Sequence, residues 1–212
     1  MQTHMNIVLL TSSFRRDGNT ARLAGLLRDT VASLAADRDM SVSFETVHLA
    51  HEHIGMCRGC RVCFDRGEEH CPLRDAVLPI RDKLDAADGV VLASPVYVED
   101  VNGVMKNWID RMAFVCHRPA HFGKWAYVLS TTGVSATRHT LVTMSTALRT
   151  WGFSVVGQRA FVCGGSMSAD EMNRRYGRDM ERIAERVLRG ARSGRQRAPS
   201  FYSLVVFRVQ QA

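Results

Sequence analysis

The chain has 212 residues, 46% of them hydrophobic, with a formal net charge of +7 and six cysteines. That length bounds it at one to two domains, and the apolar share supports one sizeable core. No run of about 18 uncharged apolar residues occurs and the short N-terminal apolar run lacks signal-peptide features, which argues against a membrane protein and for a cytoplasmic one with reduced thiols.

Apolar and helical segments alternate along the chain. Residues 6–10 (NIVLL) form a first strand, followed by the polar loop TSSFRRDGNT and an amphipathic helix over 21–36. A second strand covers 42–48, and a cysteine-rich loop runs from 55 to 71. Pro79 fits the first turn of a helix over 79–87, where its missing N–H would be unpaired anyway. The third strand, 89–93 (GVVLA), leads into SPVYVEDVNG and a helix over 101–112. The fourth strand is 125–130, followed by TTGVS and a helix to about residue 150; the fifth begins at 153 and extends toward 162. Ser168 and Glu171 make a capping box for a last helix, with Met172, Tyr176, Met180, Ile183, Val187 and Ala191 as its apolar stripe. Strands that are continuous apolar runs are buried on both faces, so five of them separated by helices predict a doubly wound α/β domain with a five-stranded parallel sheet and helices on both faces. Ligands of such sheets sit in the loops at the carboxyl ends of the strands.

The loop after the first strand offers hydroxyls, an amide and two arginines at the start of a helix, a place that favours an anion. It contains neither G-x-G-x-x-G nor G-x-x-x-x-G-K, so neither a dinucleotide fingerprint nor a nucleotide-hydrolysing loop is present. A helix cap with a solvated polar loop would use the same residue types. The pattern S-x-R-x-x-G-N-T here resembles the phosphate loop of flavodoxin-like NAD(P)H-dependent FMN reductases. That resemblance implies Ser13, Arg15, Asn19 and Thr20 as phosphate ligands. Phe14 stands where the family usually has Pro, and Ser12 where it often has Gly; neither change removes a ligand. Two further motifs match in order. Ser94, Pro95, Val96 and Tyr97, followed by MKNWIDR, correspond to the segment that wraps the isoalloxazine ring. Thr131, Thr132 and Gly133 correspond to the loop whose backbone faces that ring. No catalytic side chain is implied, because flavin N5 carries the chemistry.

Cys57, Cys60, Cys63 and Cys71 form C-x2-C-x2-C-x7-C, with Pro72 after the last. Three cysteines at intervals of three with a fourth to close the set suit a [4Fe–4S] cluster. Structural zinc separates two pairs by a longer stretch, and a dithiol motif would leave two cysteines unexplained. The spacing is similar to that of the iron–sulfur flavoprotein branch of the same family. Plain FMN reductases with related loops and no cluster leave the alternative open. His48, His51, His53 and His70 read as exposed loop residues, and Cys116 and Cys163 as ordinary buried thiols.

The expected function is an FMN-dependent oxidoreductase. It would take electrons from NAD(P)H, or from a ferredoxin if a cluster is present, and deliver them to a small-molecule acceptor: a quinone, free flavin or oxygen. A non-catalytic flavodoxin-like carrier or redox sensor is the alternative, and the basic charge weighs against it. Nine arginines against three acids fall within 174–197, so the excess charge belongs to one segment and gives poor support for nucleic-acid binding. Within that segment Glu185 and Arg189 are spaced for an i,i+4 pair. The expected organisation is one FMN-binding domain over 1–193, with 55–75 as an insert. The apolar tail 194–212 would pack either on its own domain or on a neighbouring subunit of a homo-oligomer, a dimer or tetramer.

Overall fold

A computed structural model describes residues 4–135 and 138–193, without the side chains of 191–193. In chain order the elements are β1 (His4–Thr11), α1 (Asn19–Ala36), β2 (Ser41–His48), α2 (Val62–Asp65), α3 (Val77–Ala86), β3 (Gly89–Tyr97), β4 (Asp100–Val101), α4 (Gly103–Arg111), α5 (Phe114–His117), β5 (Trp125–Thr132), α6 (Arg138–Thr150), β6 (Ser154–Val162) and α7 (Ala169–Ser193). Five strands pair in parallel in the order β2-β1-β3-β5-β6, and β4 pairs antiparallel with β3. This is the flavodoxin-like doubly wound order, in which the direction of strand addition reverses between β1 and β3, the place where such sheets form their ligand crevice.

The period of two along each strand sends neighbouring side chains to opposite faces. On one face Val8, Leu10, Val90, Leu92 and Val128 pack with Ile80 and Leu84 of α3, Met105 and Trp108 of α4, and Met144 and Leu148 of α6. On the other, Ile7, Leu9, Val91, Tyr127 and Leu129 pack with Leu23, Leu27 and Val31 of α1 and Met172, Met180, Ile183 and Val187 of α7. The central strands β1, β3 and β5 are therefore mostly buried, whereas the edge strands β2 and β6 are only partly buried.

Three local expectations change. Val101 does not begin the fourth helix; it pairs with Val96 in a hairpin, and the helix starts at Gly103 with Asn102 as its cap. The hairpin adds a sixth, two-residue strand to the five parallel ones. The Glu185 carboxylate reaches across to Arg38, two residues past the end of α1, while Arg189 Nε donates to the Glu185 carbonyl. This long-range pair replaces the expected i,i+4 partner because α1 and α7 lie side by side. Ser168 does cap α7, its hydroxyl accepting the Glu171 N–H at 3.2 Å. The expectations for Ala191 and for the tail 194–212 lie outside the described residues. No described helix is long and apolar enough to cross a membrane.

Candidate functional site

The loops after β1, β3 and β5 meet at the carboxyl edge of the sheet. Ser12 Oγ donates to Ser94 Oγ at 3.0 Å, joining the first loop to the second, and both residues are wholly buried. Thr20 Oγ1 and Thr131 Oγ1 are 2.6 Å apart, joining the first to the third. Ser13 is buried; its hydroxyl donates to the Arg15 carbonyl and its N–H to Thr11 Oγ1, which bends the loop into a compact turn. Gly18 is the N-cap of α1 and brings no side chain to the first-turn N–H groups. Those donors and the positive end of an 18-residue helix face the loop. Arg15 is exposed but curls back, so that a Cβ on Gly18 would meet its Nε at 3.4 Å.

Asn19 is used differently from Ser13 and Thr20. Its amide donates to Gly165 O at 2.8 Å and accepts from Met167 N at 3.0 Å, tying α1 to the loop after β6. Asn102 was not singled out in the sequence, although an Asn before a helical run is a start signal. It is completely buried, caps α4 by accepting the Met105 N–H at 3.1 Å, and donates to the Ser12 carbonyl at 2.7 Å.

Pro95 and Val96 are half-buried beside the crevice, and Tyr97 is 50% exposed. Tyr97 stands at the base of a two-residue hairpin whose central residues, Val98 and Glu99, both have positive φ, 47° and 67°. The type I′ turn needs that conformation, which costs a residue with a Cβ about 1–2 kcal/mol. Thr143 of α6 donates to Asp100 and steadies the hairpin from below. Thr131 is buried, Thr132 half-buried and Gly133 exposed, next to the Cys163 N–H donating to Thr132 O at 2.8 Å. His48, expected as an exposed loop residue, instead ends β2 opposite Thr11 with a buried Nδ1 that has no partner among the described residues. Burial, with Arg16 and His51 nearby, holds its pKa below the usual histidine value. His51, His53 and His70 are exposed, as expected.

The cysteine loop lies on the α4 side of the molecule. Cys57, Cys60, Cys63 and Cys71 all line one cavity of ≈ 130 Å³, whose other walls include Phe64, Leu73, Val77 and Phe114. Gly59 and Arg61 adopt φ of 63°, so the chain between the first three cysteines turns tightly. Cys57 and Cys60 are exposed, Cys63 and Cys71 half-buried. Burial, and then the neighbouring Cys71, push the Cys63 thiol up. Four thiols around one largely apolar cavity fit the donor chemistry of an iron–sulfur cluster. Among the described residues no three His, Cys, Asp or Glu groups converge as ligands of a metal ion. A cluster would require the four thiols to draw closer together than they stand here. Cys163 is buried as expected, while Cys116 is only half-buried, with its sulfur 3.5 Å from Thr150 Oγ1.

The fold and the three converging loops define a flavodoxin-like protein, a class of sheet whose ligands bind at the carboxyl edge. Residues 5–167 match the NADPH-dependent FMN reductase family, and the chain belongs to it. It is 32% identical over 154 residues to an iron-sulfur flavoprotein of Archaeoglobus fulgidus, a match covering 72% of this chain and 66% of that protein. It is 33% identical over 107 residues to an iron-sulfur flavoprotein of Methanocaldococcus jannaschii, covering 50% of this chain and 51% of the relative. The chain thus spans less than two thirds of the length of these relatives. Among solved structures, RosB with the bound intermediate 8-demethyl-8-formylriboflavin-5'-phosphate superposes with a TM-score of 0.71 at 13% identity, covering 98% of this chain and 87% of that one. The apo form of an NADH:FMN oxidoreductase superposes at 0.60 and 20% identity, covering 92% of each chain. At those identities the structural matches speak to the fold.

Proposed function

We propose that the protein is an FMN-dependent oxidoreductase that moves electrons between a NAD(P)H or ferredoxin-type donor and a small acceptor such as a quinone, flavin or oxygen, with the four-cysteine loop holding a [4Fe–4S] cluster. The observation that carries the flavin reading is the meeting of three loops through two hydroxyl pairs, Ser12 with Ser94 and Thr20 with Thr131, over an uncapped helix N-terminus. When bound, FMN supplies one- and two-electron chemistry and the cluster a one-electron relay.

The chain's own residues then bind and orient. Ser13, Thr20, Arg15 and the first-turn N–H groups of α1, Asn19 included, would hold the phosphate. Arg15 would add an exposed cation from the solvent side. The Asn19 side chain serves by fixing the helix start against the loop after β6, since its amide is engaged there. Pro95 and Val96 would wall the ring, with Ser94 bracing that loop from beneath through Ser12 and Tyr97 held at its rim by the hairpin. Thr131, Thr132 and Gly133 would present backbone groups to its polar edge. The cluster reading is supported by the single cavity that all four thiols line and by the relatives named iron-sulfur flavoproteins. Such thiols need a reducing compartment, which fits the cytoplasm. Phe14, Tyr97, Val98 and Val134 are half or more exposed around the same edge. Apolar groups concentrated there support a homo-oligomer in which a neighbour covers the mouth.

The test is anaerobic purification followed by rapid mixing. The expected result is one FMN per chain with iron and acid-labile sulfide near four of each, and flavin bleaching on mixing with NAD(P)H or with reduced ferredoxin. Flavin without iron would remove the cluster and leave the reductase. Bleaching by neither donor would contradict the oxidoreductase reading.

A further inference from the structure

The helix that carries Asn102 under the flavin loops also carries the base of the cysteine loop. One turn apart on α4, Asn107 and Arg111 point to the same side. Asn107 accepts the Cys57 N–H at 3.2 Å and donates to Gly55 O at 3.2 Å. Arg111 is 7% exposed. Its Nη1 donates to Gly55 O at 2.8 Å and to Asp75 Oδ2 at 2.5 Å; its Nη2 donates to Asp75 Oδ1 at 3.1 Å and to Leu73 O at 3.5 Å, and points at Cys71 Sγ, 3.8 Å away. Asp75 in turn accepts the N–H groups of Gly55 and Val77. One guanidinium therefore grips both ends of the loop, before Cys57 and after Cys71, with an Nη2 hydrogen shared between the Leu73 carbonyl and the Cys71 sulfur. Lysine has no such planar fork and could not make all these bonds at once. A buried arginine is otherwise a costly choice at the end of a short helix, and the Nη1 and Nη2 bonds of this one go to the loop.

We infer that Arg111, locked by Asp75, is a positioning residue for Cys71: it fixes this sulfur in advance as the anchored ligand of the four-cysteine set, while Cys57 and Cys60 close onto whatever the set binds. The inference rests on the cluster reading for its ligand, but the anchoring of Cys71 belongs to the apo chain. Two consequences separate it from a role in loop stability alone. In the apo protein the shielding of Cys71 depends on Arg111, whereas that of Cys63 does not. In the loaded protein a donor to a cysteine sulfur raises the reduction potential of the cluster.

The experiment compares wild type with Arg111→Gln, Arg111→Lys and Asp75→Asn, each first checked for native circular dichroism and thermal unfolding. Peptide-resolved alkylation of the apo proteins is expected to show Cys71 reacting several-fold faster in Arg111→Gln and Asp75→Asn, with Cys163 unchanged. In anaerobically reconstituted protein the rate of iron loss to a chelator is expected to rise about 10- to 100-fold, and the cluster midpoint potential to move negative. Arg111→Lys should fold if Arg111→Gln does not, and should show the same selective exposure of Cys71. A wild type that takes up no iron would contradict the cluster reading, while the alkylation result would still decide the anchoring. Unchanged Cys71 alkylation in every folded variant, or equal acceleration at all four cysteines, would overturn the inference.

Discussion

Thr20→Val is expected to raise the dissociation constant for FMN roughly 10- to 140-fold while leaving the chain folded. The substitution keeps the shape of the side chain and removes one hydroxyl. A hydrogen bond to a charged group is worth about 1.5–3 kcal/mol, and each 1.4 kcal/mol is about tenfold in affinity. The same hydroxyl also contacts Thr131 at 2.6 Å inside the protein, so Thr131 is left without that partner and the third loop loosens. Thr20→Ser should behave nearly as wild type, because it keeps the hydroxyl. Thr131→Val combined with Thr20→Val should cost less than the two single losses added together, since both remove the same bond. Fluorescence quenching of FMN on titration with each apo variant measures all three. Equal affinities for Thr20→Val and wild type would remove Thr20 from the phosphate site.

Trp108→Ala is expected to lower stability by about 3–5 kcal/mol, or roughly 6–20 °C in Tm for a domain of this size. Trp108 is wholly buried on α4 and meets the Trp151 ring edge-on, with centroids 5.3 Å apart. The effect should not stop at stability. Asn102, Asn107 and Arg111 hang from the same helix, so a loosened α4 releases the Ser12 carbonyl at one end and the cysteine loop at the other. Flavin should be lost at lower temperature than the global transition, and the cysteines should alkylate together rather than selectively. Trp108→Phe should cost far less, because the indole Nε1 has no partner among the described residues and its loss leaves nothing unpaired. Thermal melts followed by circular dichroism and by flavin fluorescence in parallel read both effects.

Much of this architecture is written in local pattern. NIVLL and GVVLA are apolar without alternation because β1 and β3 are buried on both faces. The three ligand loops stand out because hydroxyls, glycines and a Ser-Pro pair interrupt those runs at the strand ends. Other features rest on residues brought together from far apart, and local pattern is silent there. Asp75 and Arg111 are 36 positions apart, and nothing near either one announces the other. Glu185 sits in good spacing for Arg189, yet α1 passes close enough for Arg38 to take its carboxylate. Val101 reads as the first apolar residue of a helix because it precedes Val104 and Met105 at helical spacing. The hairpin wins because Asn102 caps the helix one residue later and is itself held by the Ser12 carbonyl. The strain at Val98 and Glu99 carries no glycine or asparagine to mark it. It is sustained by cross-strand pairing within the hairpin and by Thr143, which reaches Asp100 from 43 positions away. The cysteine spacing, in contrast, could be read directly, and all four thiols do line one cavity. Which of them are anchored and which are free could not be read without the fold.

The central claim is that the loop after β1 holds a terminal phosphate while the loops after β3 and β5 hold a flat ring. It is tested most directly by titrating the apo protein with FMN and, separately, with riboflavin, which shares the ring and lacks the phosphate. FMN is expected to bind one per chain with quenched fluorescence, and riboflavin at least tenfold more weakly, a gap of about 1.4 kcal/mol or more. Equal affinity for the two, or no binding of either, would contradict the account.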